Sequence, residues 1–236
     1  MWLAVAIVVT GLGGYIGLPH VAKIVLRKRF LDRIVKSGFV CVTFDDGPSP
    51  DVTPAILDIL EEAKAKATFF VVGQAAEQYP EIMERIKVAG HEIGEHSYWH
   101  SHAWANGPLL TTKDLIAGGK VVGNYAGADS KTSFRPPYGK LNLATLAYIW
   151  FGKKRTVFWN VDPKDYRRSA ENETRGGLKD RLREGSVVLL HDGRLDGPGR
   201  ASNTVEILKS IVKEAAERDL RLVTVCEAIE RGRRGN

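Results

Sequence analysis

The chain has 236 residues, 44% hydrophobic and 26% charged, with a formal net charge of +6. That length suits one well-buried domain of barrel size, and the balance is that of an ordinary globular protein, not of a repeat array or low-complexity chain. The positive charge is local: residues 20–37 carry Lys23, Arg27, Lys28, Arg29, Arg33 and Lys36 against Asp32, so the remainder is near neutral and nothing in it marks a nucleic-acid surface.

Residues 1–19 hold no charged side chain; Trp2 to Thr10 is almost continuously apolar and Gly11-Leu12-Gly13-Gly14 follows. About 20 residues suffice to span a bilayer as a helix. No basic stretch opens the segment and no small-residue cleavage site closes it, which favours an uncleaved membrane anchor over a signal-like leader. The glycines do not make a dinucleotide loop, since Ile16 stands at the third-glycine position counted from Gly11. Residues 20–37 then read as a basic juxtamembrane linker meeting anionic lipid, and residues 38–236 as the catalytic domain.

After Gly38, short β-branched or aromatic runs alternate with helical stretches. The expected strands are Phe39 to Phe44, Thr68 to Gly73, Glu92 to His96, Ser133 to Arg135, Thr156 to Val161, Ser186 to His191 and Arg221 to Val225. Pro54 and Pro80 fit first-turn positions of the intervening helices, Gly90 a C-terminal cap, and Asn203 with Glu206 a capping box. Such alternation predicts an α/β fold of parallel strands with outer helices, whose catalytic loops follow the strand C-termini. Cys41 and Cys226 read as buried small side chains, with a disulfide the alternative in an oxidising compartment.

Two stretches carry the chemistry. Thr43-Phe44-Asp45-Asp46-Gly47-Pro48 ends the first strand, and His96-Ser97-Tyr98-Trp99-His100 follows downstream. Imidazole and carboxylate are ligands of zinc and similar divalent ions, and a catalytic site keeps one coordination position open for water. Asp46, His96 and His100 supply three ligands, which leaves Asp45 to handle protons. A helical turn after His96 would set the two histidines on one face within reach of one ion. A turn built from Asp, Gly and Pro does not by itself predict the histidine pair. His191 closes the apolar run Val187 to Leu190, and a histidine with an ordinary pKa of about 6.5 suits proton donation at neutral pH. His91, after the Gly90 cap, reads as structural, and His102 as surface-exposed. Trp99 and Trp104 read equally as sugar-stacking or core aromatics.

Five ordered blocks resemble the polysaccharide deacetylase family, also called the nodulation-protein-B homology domain or carbohydrate esterase family four. They are Thr43 to Pro48, His96 to His100, Arg135-Pro136-Pro137-Tyr138-Gly139, Asp162-Pro163-Lys164-Asp165-Tyr166 and Leu189-Leu190-His191-Asp192. The resemblance covers residues 38 to 230 and implies a distorted (β/α) barrel of about seven strands. It implies that Asp45 is the general base, that Asp46, His96 and His100 hold one divalent metal, and that His191 is the general acid. It further implies that Arg135 positions Asp45, that Asp165 orients His191, that the Tyr138 N–H binds the oxyanion, and that Leu189 and Tyr166 line the acetyl groove. The fourth block usually ends in Trp, so Tyr166 is a departure that bears on groove shape.

The expected activity is hydrolysis of acetyl groups from N-acetylated sugars of a polysaccharide, chitin-like oligomers or peptidoglycan, with zinc first among the metals and cobalt, manganese or nickel as alternatives. An O-acetyl (xylan) esterase would use the same site. The expected partners are the acetylated carbohydrate and a membrane contacted by the N-terminal segment. A cell-wall enzyme faces outward, whereas the cations between Lys23 and Lys36 favour the cytoplasmic side, where a lipid-linked sugar would be the substrate of a deacetylase or deformylase. The outward arrangement is the one expected.

Overall fold

The computed structural model describes residues 13–125, 132–166, 180–193 and 200–234. Six strands, β1 (Cys41–Asp45), β2 (Thr68–Val71), β3 (Glu92–Glu95), β4 (Ser133–Phe134), β5 (Arg155–Thr156) and β6 (Val187–His191), form one sheet in the order β5-β4-β3-β2-β1-β6. Every neighbouring pair is parallel. The helices are α1 (Leu18–Ser37), α2 (Thr53–Glu62), α3 (Gly73–Gln78), α4 (Pro80–Val88), α5 (Pro108–Gly123), α6 (Leu143–Phe151), α7 (Arg200–Glu217) and α8 (Val225–Arg234). Pro54 and Pro80 lie in the first turns of α2 and α4, where the missing N–H costs nothing, and Gly90 is left-handed with φ +74 after α4.

Two expected strands differ. Residues 156–161 pair in two pieces: Arg155 and Thr156 join β4, while Val161 bridges Val188 of β6. The segment leaves one edge of the sheet and reaches the other, which curls the six strands toward a barrel. Residues 221–225 contribute only the bridge of Leu222 to Val40; the Leu222 carbonyl also accepts from Lys66 N–H at 3.2 Å, so this piece wedges between β1 and β2 at their N-terminal ends. The expected capping box is not formed, because Asn203 is buried inside α7, which already includes Arg200.

The period-two alternation of strands separates two interiors. Val42, Phe44, Phe69, Val71, Val188 and Leu190 face outward and pack with Ile56, Leu60, Met83, Ile86, Leu208 and Ile211 of α2, α4 and α7. Burying each such side chain contributes about 1.5–3 kcal/mol. The alternate residues of β1 and β6, ending in Asp45 and His191, face the barrel axis. Residues 20–37, expected as a linker, lie within α1, whose Phe30 and Ile34 are buried with Val225, Ala228 and Ile229. The run Trp2 to Thr10 lies outside the described residues. Among the described residues, no helix is long and apolar enough to cross a membrane. Cys41 and Cys226 are both free, Cys41 buried.

Candidate active site

Asp45 ends β1 inside the barrel mouth, where a buried carboxylate needs a partner. Arg135, fully buried just after β4, donates from Nη1 to Asp45 Oδ1 at 2.6 Å and to Thr43 Oγ1 at 2.8 Å. Its guanidinium carbon lies 4.2 Å from the Phe70 ring centroid, so the planar cation is held on both its edge and its face.

Asp46 follows in a left-handed conformation, φ 74, which an Asp tolerates better than most side chains and which turns the second carboxylate away from the first. Its Oδ1 lies 3.1 Å from His100 Nε2 and 3.4 Å from His96 Nε2. The His96 Nδ1 contacts the Arg135 carbonyl at 2.7 Å, which assigns the ring proton to Nδ1 and leaves the Nε2 lone pair facing Asp46. Asp46, His96 and His100 present one donor atom each, all within 4.8 Å of one another. Asp46 Oδ1 is buried without a hydrogen-bond partner. Two imidazoles and an orphaned carboxylate oxygen converging in this way fit a divalent metal ion.

The second histidine is not delivered by a helical turn. Residues 97–100 form a loop with Ser97 at φ 64 and His100 at φ 54. These strained residues are held from α5: Asp114 Oδ1 accepts from Tyr98 N–H at 2.8 Å and Trp99 N–H at 2.7 Å, and Oδ2 accepts from Ser101 N–H at 3.4 Å. Ser97 Oγ accepts from His100 N–H at 3.0 Å. One turn further along α5, Gly118 lets the loop backbone in, since a Cβ there would stand 2.5 Å from the Ser97 carbonyl carbon.

Charge around the site is strongly coupled. Burial would raise the Asp46 pKa, but the adjacent His96, with His100 and His191 beyond it, holds it well below the usual carboxylate range. Burial opposes the charged form of His96, yet Asp45 and Asp46 raise its pKa. Burial, followed by the charge of His96, lowers that of His100.

His191 ends β6. Its Nδ1 lies 2.9 Å from Asp165 Oδ1, and its own N–H donates to Asp165 Oδ2 at 2.7 Å. Thr204 Oγ1 of α7 donates to the same Oδ2 at 2.8 Å, so the orienting carboxylate is itself fixed. Burial works against the imidazolium, but the hydrogen bond and charge of Asp165, with Asp45 and Asp46 beyond, raise the His191 pKa to about 9.

The remaining expected residues surround these. Tyr138 sits in a short turn, Pro137–Gly139, with φ 56, and its ring centroid is 4.5 Å from that of His100 and 4.9 Å from that of His102. Leu189 is buried one inward position below His191, and the Tyr166 ring meets His191 edge-on at 5.5 Å. His102, expected on the surface, is half-buried between Tyr138 and Trp104. Trp99 and Trp104 are exposed rather than core. His91 is remote: its Nδ1 accepts from Ala67 N–H at 3.3 Å, and burial lowers its pKa to about 4.

Sequence reading gave no role to Asp114, Gly118, Thr204 or Asp192. Asp192 is a buried carboxylate that accepts from Thr53 Oγ1 at 2.7 Å, and its N–H donates to the Asp45 carbonyl at 3.0 Å. Burial, with Asp46 and Asp45 adding, pushes its pKa up to about 7. Its place directly after His191 was a usable signal; Asp114 offered none, because its partners are backbone groups of a distant loop.

The family model for polysaccharide deacetylases matches residues 32–150. A peptidoglycan-N-acetylglucosamine deacetylase of Bacillus cereus is 33% identical over 192 residues, 80% of this chain and 87% of that protein. A chitooligosaccharide deacetylase of Azorhizobium caulinodans is 35% identical over 65% of this chain and 73% of its own. The solved structure of the peptidoglycan deacetylase PdaC from Bacillus subtilis superposes with a TM-score of 0.72 at 28% identity, covering 84% of this chain and 92% of that one.

Proposed function

Because the chain belongs to the polysaccharide deacetylase family, we propose that it is a metal-dependent hydrolase that removes acetyl groups from the N-acetylated sugars of chitin-like oligomers or peptidoglycan. The observation that carries this reading is the convergence of Asp46, His96 and His100 beside the Arg135-bound carboxylate of Asp45. Zinc suits two imidazoles and one carboxylate best, with cobalt, manganese or nickel as alternatives. A divalent ion held by these three residues supplies Lewis acidity, which lowers the pKa of water toward about 7 and polarises an acyl oxygen.

The side chains divide the remaining work. Asp45 takes a proton from the attacking water, and its ion pair with Arg135 keeps the carboxylate oriented toward the mouth. The backbone N–H of Tyr138 donates to the oxygen that gains charge as the carbonyl becomes tetrahedral. As the C–N bond breaks, His191 gives its proton to the departing amine, and Asp165 holds the ring and stabilises its charged form. Leu189 and Tyr166 shelter the acetyl methyl. The products are acetate and a free amino sugar.

We further propose that residues 1–19 anchor the protein to a membrane, with the catalytic domain outside the cytoplasm, where polymers of N-acetylated sugars are found. The cations from Lys23 to Lys36 favour the opposite face and a lipid-linked sugar. Acetate release from a panel of chito-oligosaccharides, peptidoglycan fragments, acetylated xylan and lipid-linked amino sugars tests the reading. Release from xylan alone would replace the N-deacetylase by an O-acetyl esterase, and protease accessibility on intact cells reports the face.

A further inference from the structure

The direction of α1 decides where the apolar N-terminal segment joins the domain. The helix runs antiparallel to β1: at its far end Val35 packs on Gly185, just ahead of β6. Toward its start, Arg27 Nη2 donates to the Trp159 carbonyl at 3.0 Å, Lys23 Nζ lies beside Gly139, and the His20 ring is 6.5 Å from that of Trp104. Before the helix, Tyr15 Oη donates to the Asn106 carbonyl at 3.5 Å. Gly139 and Asn106 belong to loops that follow strand C-termini, the same loops that carry Tyr138 and His102. The first described residues, which follow the run Trp2 to Thr10 in the sequence, therefore lie on the rim of the catalytic mouth.

That rim is apolar. Leu18 and Val21 of α1 are exposed, and so are Trp104 and the start of α5, with Leu109 at 79% and Leu110 at 60%. Lys140 Nζ stands 4.1 Å from the Trp104 ring centroid. Exposed leucines edged by tryptophan and lysine have the composition of a surface that sits at lipid headgroup level.

We infer that the catalytic mouth faces the lipid surface to which residues 1–19 attach, and that the substrate is an N-acetylated glycan carried on that same bilayer. The inference rests on the deacetylase and anchor readings above and adds the orientation, which selects the lipid-carried glycan among the substrates already named. Leu18 and Lys36 are about 27 Å apart along the helix at 1.5 Å per residue, so the lower cations stand beyond a screening length of about 8 Å from the lipid. Trp150 and Phe151 are exposed too, but they end α6, which starts beside the mouth at Leu143 and leads down to the N-terminal end of β5, so a bilayer at the mouth would not reach them.

The test uses the full chain with Cys226→Ser, leaving the buried Cys41, and one environment-sensitive label at Leu110→Cys or Phe151→Cys. Each is reconstituted in vesicles of phosphatidylcholine and phosphatidylglycerol containing nitroxide-quencher lipid. The expected result is vesicle flotation, with several-fold stronger quenching at position 110 than at 151. Protein that fails to float overturns the anchor reading and this inference with it. Protein that floats with position 151 quenched as strongly or more strongly overturns the inference alone. In unlabelled protein, acetate release from an N-acetylglucosamine glycolipid should be at least about tenfold faster when enzyme and glycolipid share a vesicle than when they occupy separate ones, through raised effective concentration. Equal rates overturn the inference, and no release from this or any soluble acetylated sugar overturns the deacetylase reading beneath it.

Discussion

Asp45 and His191 are register partners at the last paired position of β1 and β6. Residues paired across parallel strands project from the same face of the sheet, so the two side chains proposed to handle protons stand next to each other in the barrel mouth. Each is fixed by its own ion pair, Asp45 by Arg135 and His191 by Asp165. The proposed acid and base are thus positioned by rigid strands rather than by the loops above them.

Asp45→Asn keeps the shape and an oxygen for Arg135 but cannot accept a proton. We expect kcat to fall by about 10²- to 10⁴-fold, the usual contribution of a general base, with the bound metal retained. Acetate release and metal content measured on the same sample decide it. Undiminished kcat would remove Asp45 from the proposed role.

The pH profile reports His191. Its pKa is raised to about 9, so the acid form needed for proton donation persists through neutral pH and is lost above that value. The stabilisation from its pairing with Asp165 is likewise fully present below the ordinary histidine pKa of about 6.5 and disappears as pH rises through about 9. Asp165→Asn should shift the basic limb of kcat downward, toward the ordinary histidine range. Profiles of both proteins must be taken at equal metal saturation, because a cation beside Asp46 opposes the rise. An unmoved limb would show that Asp165 does not tune the acid.

Asp114 touches no expected ligand atom, yet it receives three N–H groups from the residues that flank His100. Asp114→Ala should weaken metal binding by about 10- to 100-fold, the range for residues that orient ligands, while circular dichroism stays native. Asp114→Asn should lose less, since an amide oxygen can still receive Tyr98 and Trp99. Metal titration of the two variants checks this order.

Gly118→Ala forces a methyl group onto the Ser97 backbone and should destabilise the fold by about 1–3 kcal/mol in denaturant unfolding. Gly123→Ala in the same helix meets nothing within 4 Å and should cost none of that. Equal unfolding midpoints for the two would contradict the close contact between α5 and the loop.

The parallel strands, the Asp45-Asp46 turn and the His191 position were legible because each is written locally: an alternating or apolar run, then a polar residue where it stops. That Asp46, His96 and His100 could meet at one point was legible from residue type and order. What failed were features set by tertiary pairing. Residues 156–161 split between two strands because they bridge the two edges of a curled sheet, and 221–225 pair at a single point because they only wedge between β1 and β2. The helical turn that would have joined His96 to His100 is replaced by a loop, whose left-handed Ser97 and His100 are set by the Ser97 hydroxyl and by the Asp114 carboxylate on the neighbouring N–H groups. Residues 20–37 read as a linker because their charge concealed the buried stripe of Phe30 and Ile34.

The most direct test is metal titration of chelator-stripped protein, with binding and acetate release from N-acetylated oligosaccharides followed together. The account predicts that release is absent in stripped protein, returns in proportion to one zinc equivalent per chain, and does not return in His96→Ala, which binds no ion. Full release from stripped protein, or one ion held equally well by His96→Ala, would contradict it.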